Sequence, residues 1–156
     1  MSRRLTALVI GNAAYEGSSK LKNPGNDADD VAAKLNVCGF EVVKMIDCSN
    51  TDLDRALKRF KRSLVGNDVG LFFFAGHGMQ IDGENYLVAV DTDTEGEVEA
   101  KHSSPPLNRV IEVMEKADTT TNIIILDACR DIPSSAPGTA RRRVGAWRPC
   151  MRPREP

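Results

Sequence analysis

Apolar residues in this chain fall into short, near-continuous runs, separated by stretches where they recur every three or four positions. The runs are Leu5–Ile10, Phe40–Ile46, Val69–Ala75 and Asn122–Leu126. Each reads as a strand buried on both faces, because a strand wetted on one side alternates apolar and polar residues instead. The stretches between them carry helical spacing. A helix capped by Asn26 or Asp27 runs to about Val37, with Ala28, Val31, Ala32 and Leu35 on one face and Gly39 as its stop. A second, capped by Thr51 or Asp52, lines up Leu53, Leu57, Phe60 and Leu64 and ends at Gly66-Asn67. A third spans Leu107–Ala117, with an upstream extension to Ser104 that Pro105 tolerates in a first turn. Residues 13–25 read as a loop rich in Gly, Ser, Asn and Pro. Met79–Ile81 and Tyr86–Val90 read as a small hairpin about an Asp82–Asn85 turn, and Asp91–Glu99 as an acidic loop.

Strands alternating with helices predict an α/β fold: a mainly parallel, doubly wound sheet of about four strands with helices on both faces. Right-handed crossovers favour the spatial order 2-1-3-4, which puts a switch point between the first and third strands. Ligands of such sheets bind beyond the carboxyl ends of the strands. Gly11-Asn12, Gly76-His77-Gly78 and Asp127-Ala128-Cys129 all fall at that edge.

Composition narrows the class without choosing a function. The chain has 156 residues, enough for one domain with a real core. A formal net charge of −1 argues against broad electrostatic capture of nucleic acid or of an anionic membrane. No apolar stretch approaches the roughly 20 residues of a spanning helix, and Met1-Ser2-Arg3-Arg4 leads into a strand with no small-residue cleavage site. Cys38, Cys48, Cys129 and Cys150 show neither metal-type spacing nor a dense framework, so reduced thiols in a cytoplasm are expected. The end of the chain departs from the average. Arg141, Arg142, Arg143, Arg148, Arg152 and Arg154 crowd a Pro-rich segment without periodicity.

Two residues stand out as chemistry. Cys129 directly follows an apolar strand and is flanked by Asp127, Arg130 and Asp131, unusual company for a structural thiol. His77 closes another strand between Gly76 and Gly78, whose missing side chains let another chain approach the ring. Cys38 and Cys48 lack such surroundings, and His102 lies in a polar stretch before Ser103-Ser104-Pro105-Pro106. If the two strands lie parallel, a thiol and an imidazole emerge at one sheet edge, as a cysteine nucleophile and its base require.

Phe72-Phe73-Phe74-Ala75-Gly76-His77-Gly78 and Ile124-Ile125-Leu126-Asp127-Ala128-Cys129-Arg130 resemble the histidine and cysteine motifs of the caspase-like cysteine peptidases. The histidine precedes the cysteine by about 50 residues, as in caspases, and Asp127 resembles the metacaspase and bacterial branch. The resemblance covers about residues 4–133. It implies that Cys129 is the nucleophile, that His77 handles protons, and that the backbone N–H groups of Gly78 and Cys129 hold the oxyanion. It also implies that Asp27 and Asp127 shape the first specificity pocket. Two carboxylates there favour a protein or peptide substrate with Arg or Lys before the scissile bond. Asp27 also reads as a helix cap, and Asp127, at the end of a buried strand, as a carboxylate that needs a partner.

No cofactor is expected. Asp91, Asp93, Glu95, Glu97 and Glu99 offer oxygen ligands of the type calcium takes in some metacaspases, but without calcium-loop spacing. Family members continue past the cysteine with further strands, whereas residues 134–156 hold no apolar run of strand length and read as an Arg/Pro-rich, disordered tail beside a catalytic domain over residues 1–133. The fourth strand is then an exposed edge, open to pairing with a second copy of the chain. The alternative function is a caspase-like regulatory or binding module with weak or no peptidase activity. A nucleotide-binding reading is weaker, since Gly11-Asn12-Ala13-Ala14-Tyr15 lacks a phosphate-loop pattern.

Overall fold

The computed structural model describes residues 3–15 and 20–129, with Cys129 described by its backbone alone. The expected tail over residues 134–156, with Cys150 and the arginine cluster, lies outside the described residues, as does Arg130. The order of elements is β1 (Leu5–Gly11), α1 (Pro24–Val37), β2 (Phe40–Ile46), α2 (Asn50–Leu64), β3 (Val69–Ile81), β4 (Glu84–Leu87), α3 (Glu97–His102), α4 (Leu107–Glu115) and β5 (Thr121–Cys129). β1 pairs in parallel with β2 and β3, and β3 pairs in parallel with β5, so the parallel strands run β2-β1-β3-β5. That is the expected order, with the fourth expected strand appearing as β5. β4 adds antiparallel to the far end of β3.

Side chains alternate between two cores, as strand geometry requires. Leu8, Ile10, Phe72 and Phe74 pack against α2 and α4 through Leu53, Leu57, Phe60, Val110 and Met114. Ala7, Val9, Leu71, Phe73 and Ala75 face the other way, onto Ala28 and Ala32 of α1. Small residues on that side let α1 lie close. A Cβ at Gly11 would collide with the Pro24 carbonyl oxygen and come within 2.8 Å of the Ala28 Cβ, so the first turn of α1 sits directly on the end of β1.

Several boundaries differ from expectation for identifiable reasons. α1 begins at Pro24 rather than at Asn26 or Asp27, because Pro is well suited to a first helical position where no N–H is needed. α2 is capped by Ser49, not by Thr51 or Asp52. The Ser49 hydroxyl accepts from the Asp52 N–H while the Asp52 carboxylate accepts from the Ser49 N–H, a capping box. Hydrogen bonds from the Ser49 hydroxyl and then from its N–H hold the Asp52 carboxyl below its usual range. The first arm of the hairpin is the continuation of β3, and its turn is the two residues Asp82-Gly83, both at positive φ. The last three residues of the acidic loop are helical: Glu97–His102 forms α3, anchored by buried Ala100. α4 starts at Leu107 with Pro106 as its N-cap, so the extension to Ser104 is not helical.

Both outer strands of the parallel sheet depart from burial on two faces: β2 leaves Glu41, Lys44 and Ile46 exposed, and on β5 Ile123 is 36% and Ile125 43% exposed. Ile124, Leu126 and Ala128 reach the α2/α4 core, whereas α1 covers β2, β1 and β3 and stops short of β5. Among the described residues nothing pairs with the outer edge of β5. No described helix is long and apolar enough to cross a membrane.

Candidate active site

The register of β3 on β5 puts the two residues of interest together. His77 is the Cα partner of Cys129, Ala75 of Asp127, and Gly11 of Ala75 on the other side. Neighbouring parallel strands lie about 4.8 Å apart, and residues directly across from one another share a face. His77 and Cys129 therefore occupy facing positions at the carboxyl end of the sheet, on the α1 side. Asp127, two residues back along β5, is on that same side and exposed. Because β5 is half covered, its carboxylate meets water and does not need the buried partner that the sequence reading assigned it. Asp27 sits half-buried in the first turn of α1, the turn that rests on Gly11. It is not the cap, since α1 starts three residues earlier at Pro24.

Gly78 lies one residue beyond His77. The Val88 N–H donates to the His77 carbonyl at 3.0 Å, so the polar groups of His77 point towards the β4 side. Successive residues alternate, which turns the N–H of Gly78 the other way, to the β5 side at the level of Cys129.

Two residues with no catalytic signature in the sequence build the floor of this site. Asn12 is fully buried just past β1. Its Nδ2 donates to the carbonyls of Cys48 and Val88 at 3.3 Å each, its Oδ1 accepts from the Cys48 N–H at 2.8 Å, and its own N–H donates to the Ala75 carbonyl at 2.8 Å. One amide thus joins the segments that follow β1, β2 and β4. Asp47, at φ 53°, holds the same corner by accepting from the N–H groups of Ala13 and Ala14. Tyr15 is the second. Its hydroxyl accepts from the His77 N–H and donates to the Val88 carbonyl, both at 3.0 Å, and its ring centroid lies 4.5 Å from that of the imidazole. The room next to Gly76 is filled by the chain itself: a Cβ there would meet the Tyr15 Oη at 2.6 Å. His77 is 6% exposed as a result. No spacing rule could reveal these contacts, whose partners lie 36 to 76 residues apart.

The other thiols are set apart chemically. Cys48 is buried beneath Asn12, and burial, with the Asp52 and Asp47 carboxylates nearby, pushes its thiol up to about 11. Cys38 caps the end of α1 and is exposed. His102 ends α3 on the surface, away from the histidine position at the sheet edge. In the acidic segment, Asp91 accepts from the Asn50 N–H and Asp93 from the Glu95 N–H. Among the described residues no three His, Cys, Asp or Glu side chains are grouped to hold a metal ion.

A parallel α/β sheet with a histidine and a cysteine at facing strand ends defines a class, and comparison with known proteins gives it a family. The caspase domain profile matches residues 4–152, and the chain belongs to that family of peptidases. It is 28% identical over 130 residues to human mucosa-associated lymphoid tissue lymphoma translocation protein 1, covering 83% of this chain and 15% of that protein. It is 30% identical over 95 residues to caspase b of Danio rerio, covering 58% of this chain and 23% of that protein. The chain thus spans less than a quarter of the length of either relative. The crystal structure of a Geobacter sulfurreducens protein superposes with a TM-score of 0.63 at 19% identity, covering 81% of this chain and 50% of that one, a likeness of fold.

Proposed function

We propose that the chain is a cysteine endopeptidase whose nucleophile is Cys129 and whose proton carrier is His77, working without a metal or other cofactor. The observation that carries this reading is the register that makes the two residues Cα partners on neighbouring strands at the ligand-binding edge. The Cys129 thiolate adds to the peptide carbonyl carbon, forming a C–S bond and a tetrahedral oxyanion. The N–H groups of Gly78 and Cys129 stabilise that charge. Collapse breaks the C–N bond, and the amine leaves with the proton that the imidazole took from the thiol. Water, deprotonated by His77, then displaces the thiolate from the thioester.

Asp127 and Asp27 give the site its preference. One is on the strand that carries the nucleophile and the other in the helix turn beside the sheet edge, both on the α1 side. Their charge supports cleavage after Arg or Lys rather than after an acidic residue. A panel of fluorogenic peptides differing only at the residue before the scissile bond tests this. Cleavage after Arg and Lys that disappears in Cys129→Ala supports the proposal, and cleavage after Asp, or by Cys129→Ala, overturns it.

Among the described residues β5 pairs only with β3, and this supports a second role for its outer edge in docking, beside the exposed Ile123 and Ile125. Pairing of this edge with a second copy makes a homodimer, which light scattering across a concentration series detects; a strict monomer contradicts it. A chain that dimerises but cleaves nothing is the regulatory module instead. The expected setting is the cytoplasm, where the thiols stay reduced.

A further inference from the structure

The geometry points to Tyr15 as a positioning residue for His77: its hydroxyl stands inside the rung between His77 and Val88, and its ring lies against the imidazole. The role in turnover rests on the peptidase reading above; the physical coupling of Tyr15 to His77 does not. The pairing of Gly78 with Leu87 continues by one residue to His77 and Val88, and the Val88 N–H donates to the His77 carbonyl at 3.0 Å. Antiparallel residues that make one such bond normally exchange both. Here the return bond is replaced by a relay: the His77 N–H donates to Tyr15 Oη, and Tyr15 Oη donates to the Val88 carbonyl.

A hydroxyl placed there acts as a spacer that holds β3 and the residue just past the end of β4 apart at His77. The chain makes room for it with Gly76, where a Cβ would stand 2.6 Å from the oxygen. Burial raises the phenol far above its ordinary range, so it stays protonated and serves as donor and acceptor at once. The ring adds a second constraint, at 4.5 Å and tilted by 53° to the imidazole. Backbone and side chain of His77 thus both meet one residue of the segment that follows β1. A general base must hold its nitrogen in a narrow range of position for proton transfer to the thiol to be fast.

Tyr15→Phe keeps the ring and removes the spacer. The chain has two histidines, so selective isotope labelling gives two sets of signals. In Tyr15→Phe the backbone amide and ring signals of His77 move while those of His102 stay. On a basic-residue peptide, kcat falls about tenfold or more and KM stays within about twofold, because orientation acts on the chemical step. Unmoved His77 signals, or an unchanged kcat, reduce Tyr15 to a core filler and overturn the inference. If the wild-type chain cleaves nothing, the peptidase reading fails by itself and the His77 signals still decide the coupling. Should Tyr15→Phe not fold, 3-fluorotyrosine incorporated in a Tyr86→Phe chain alters the hydroxyl without removing it. Displaced His77 signals then support the relay, and signals identical to the unfluorinated Tyr86→Phe chain refute it.

Discussion

Asn12→Ala tests whether one buried amide holds the site together. The substitution removes three side-chain hydrogen bonds, but their loss is unequal. The Val88 carbonyl keeps the Tyr15 hydroxyl, and the Cys48 carbonyl keeps the Val90 N–H. The Cys48 N–H, bonded to Asn12 Oδ1 at 2.8 Å, is left without its acceptor. An orphaned buried donor costs about 1–3 kcal/mol, and the two weakened carbonyls add about 0.5–1 kcal/mol each. The sum is about 3 kcal/mol, a large part of the roughly 5–15 kcal/mol that holds a domain folded. For a chain of this size it lowers Tm by about 6–12 °C. Urea unfolding followed by circular dichroism measures it as a shift in midpoint at constant slope. Asn12→Asp sharpens the test. The introduced carboxylate can still accept from Cys48, but it turns an acceptor against the Cys48 and Val88 carbonyls. Burial and those oxygens raise its folded-state pKa above the unfolded value near 3.9. Its relative stability is therefore greatest below the unfolded value and falls as pH rises through the folded one. A loss under about 1 kcal/mol for Asn12→Ala would refute the claim that this amide is the joint between the three segments.

Other consequences can be checked separately. Ser49→Ala removes the capping box of α2 and costs about 1 kcal/mol in urea unfolding; an unchanged midpoint would show that the reciprocal bonds contribute nothing. Cys48, with its thiol pushed up to about 11, resists alkylation in the folded chain at pH 8 while exposed Cys38 reacts, and it becomes reactive only as the pH approaches 11 or the chain unfolds. Cys48 labelling as fast as Cys38 at pH 8 would contradict its place beneath Asn12.

How far the chain could be read in advance depended on the range of the interactions involved. Strands at Leu5, Phe40, Val69 and Asn122 were legible because an apolar run needs only its own residues to be recognised. The order of the parallel strands followed from crossover handedness, and the facing of His77 and Cys129 follows from that order once the register is known. Cap positions shifted because Ser49 with Asp52, and Pro24 as a first helical residue, are stronger starts than the nearby Thr51 or Asn26. The cover over β5 is illegible in sequence for a different reason. Ile123 and Ile125 are apolar in sequence whatever lies above them, and only the reach of α1 reveals that they are half bare. Gly11-Asn12 falls at the sheet edge by its place after β1, but the bonds of Asn12 and Tyr15 are not legible because their partners, Cys48, His77 and Val88, are distant in the chain. A sheet edge that closes three loops over one histidine is a tertiary property, and local patterns do not encode it.

In the proposed reaction Cys129 and His77 act as one unit. A peptidyl-arginine chloromethyl ketone, incubated with the full chain and read by intact-mass and peptide mass spectrometry, tests it directly. One label per chain, on Cys129, is expected to form rapidly in the wild type and to be suppressed in His77→Ala. Label spread over Cys38, Cys48, Cys129 and Cys150, or Cys129 labelling equally fast without the imidazole, would contradict it.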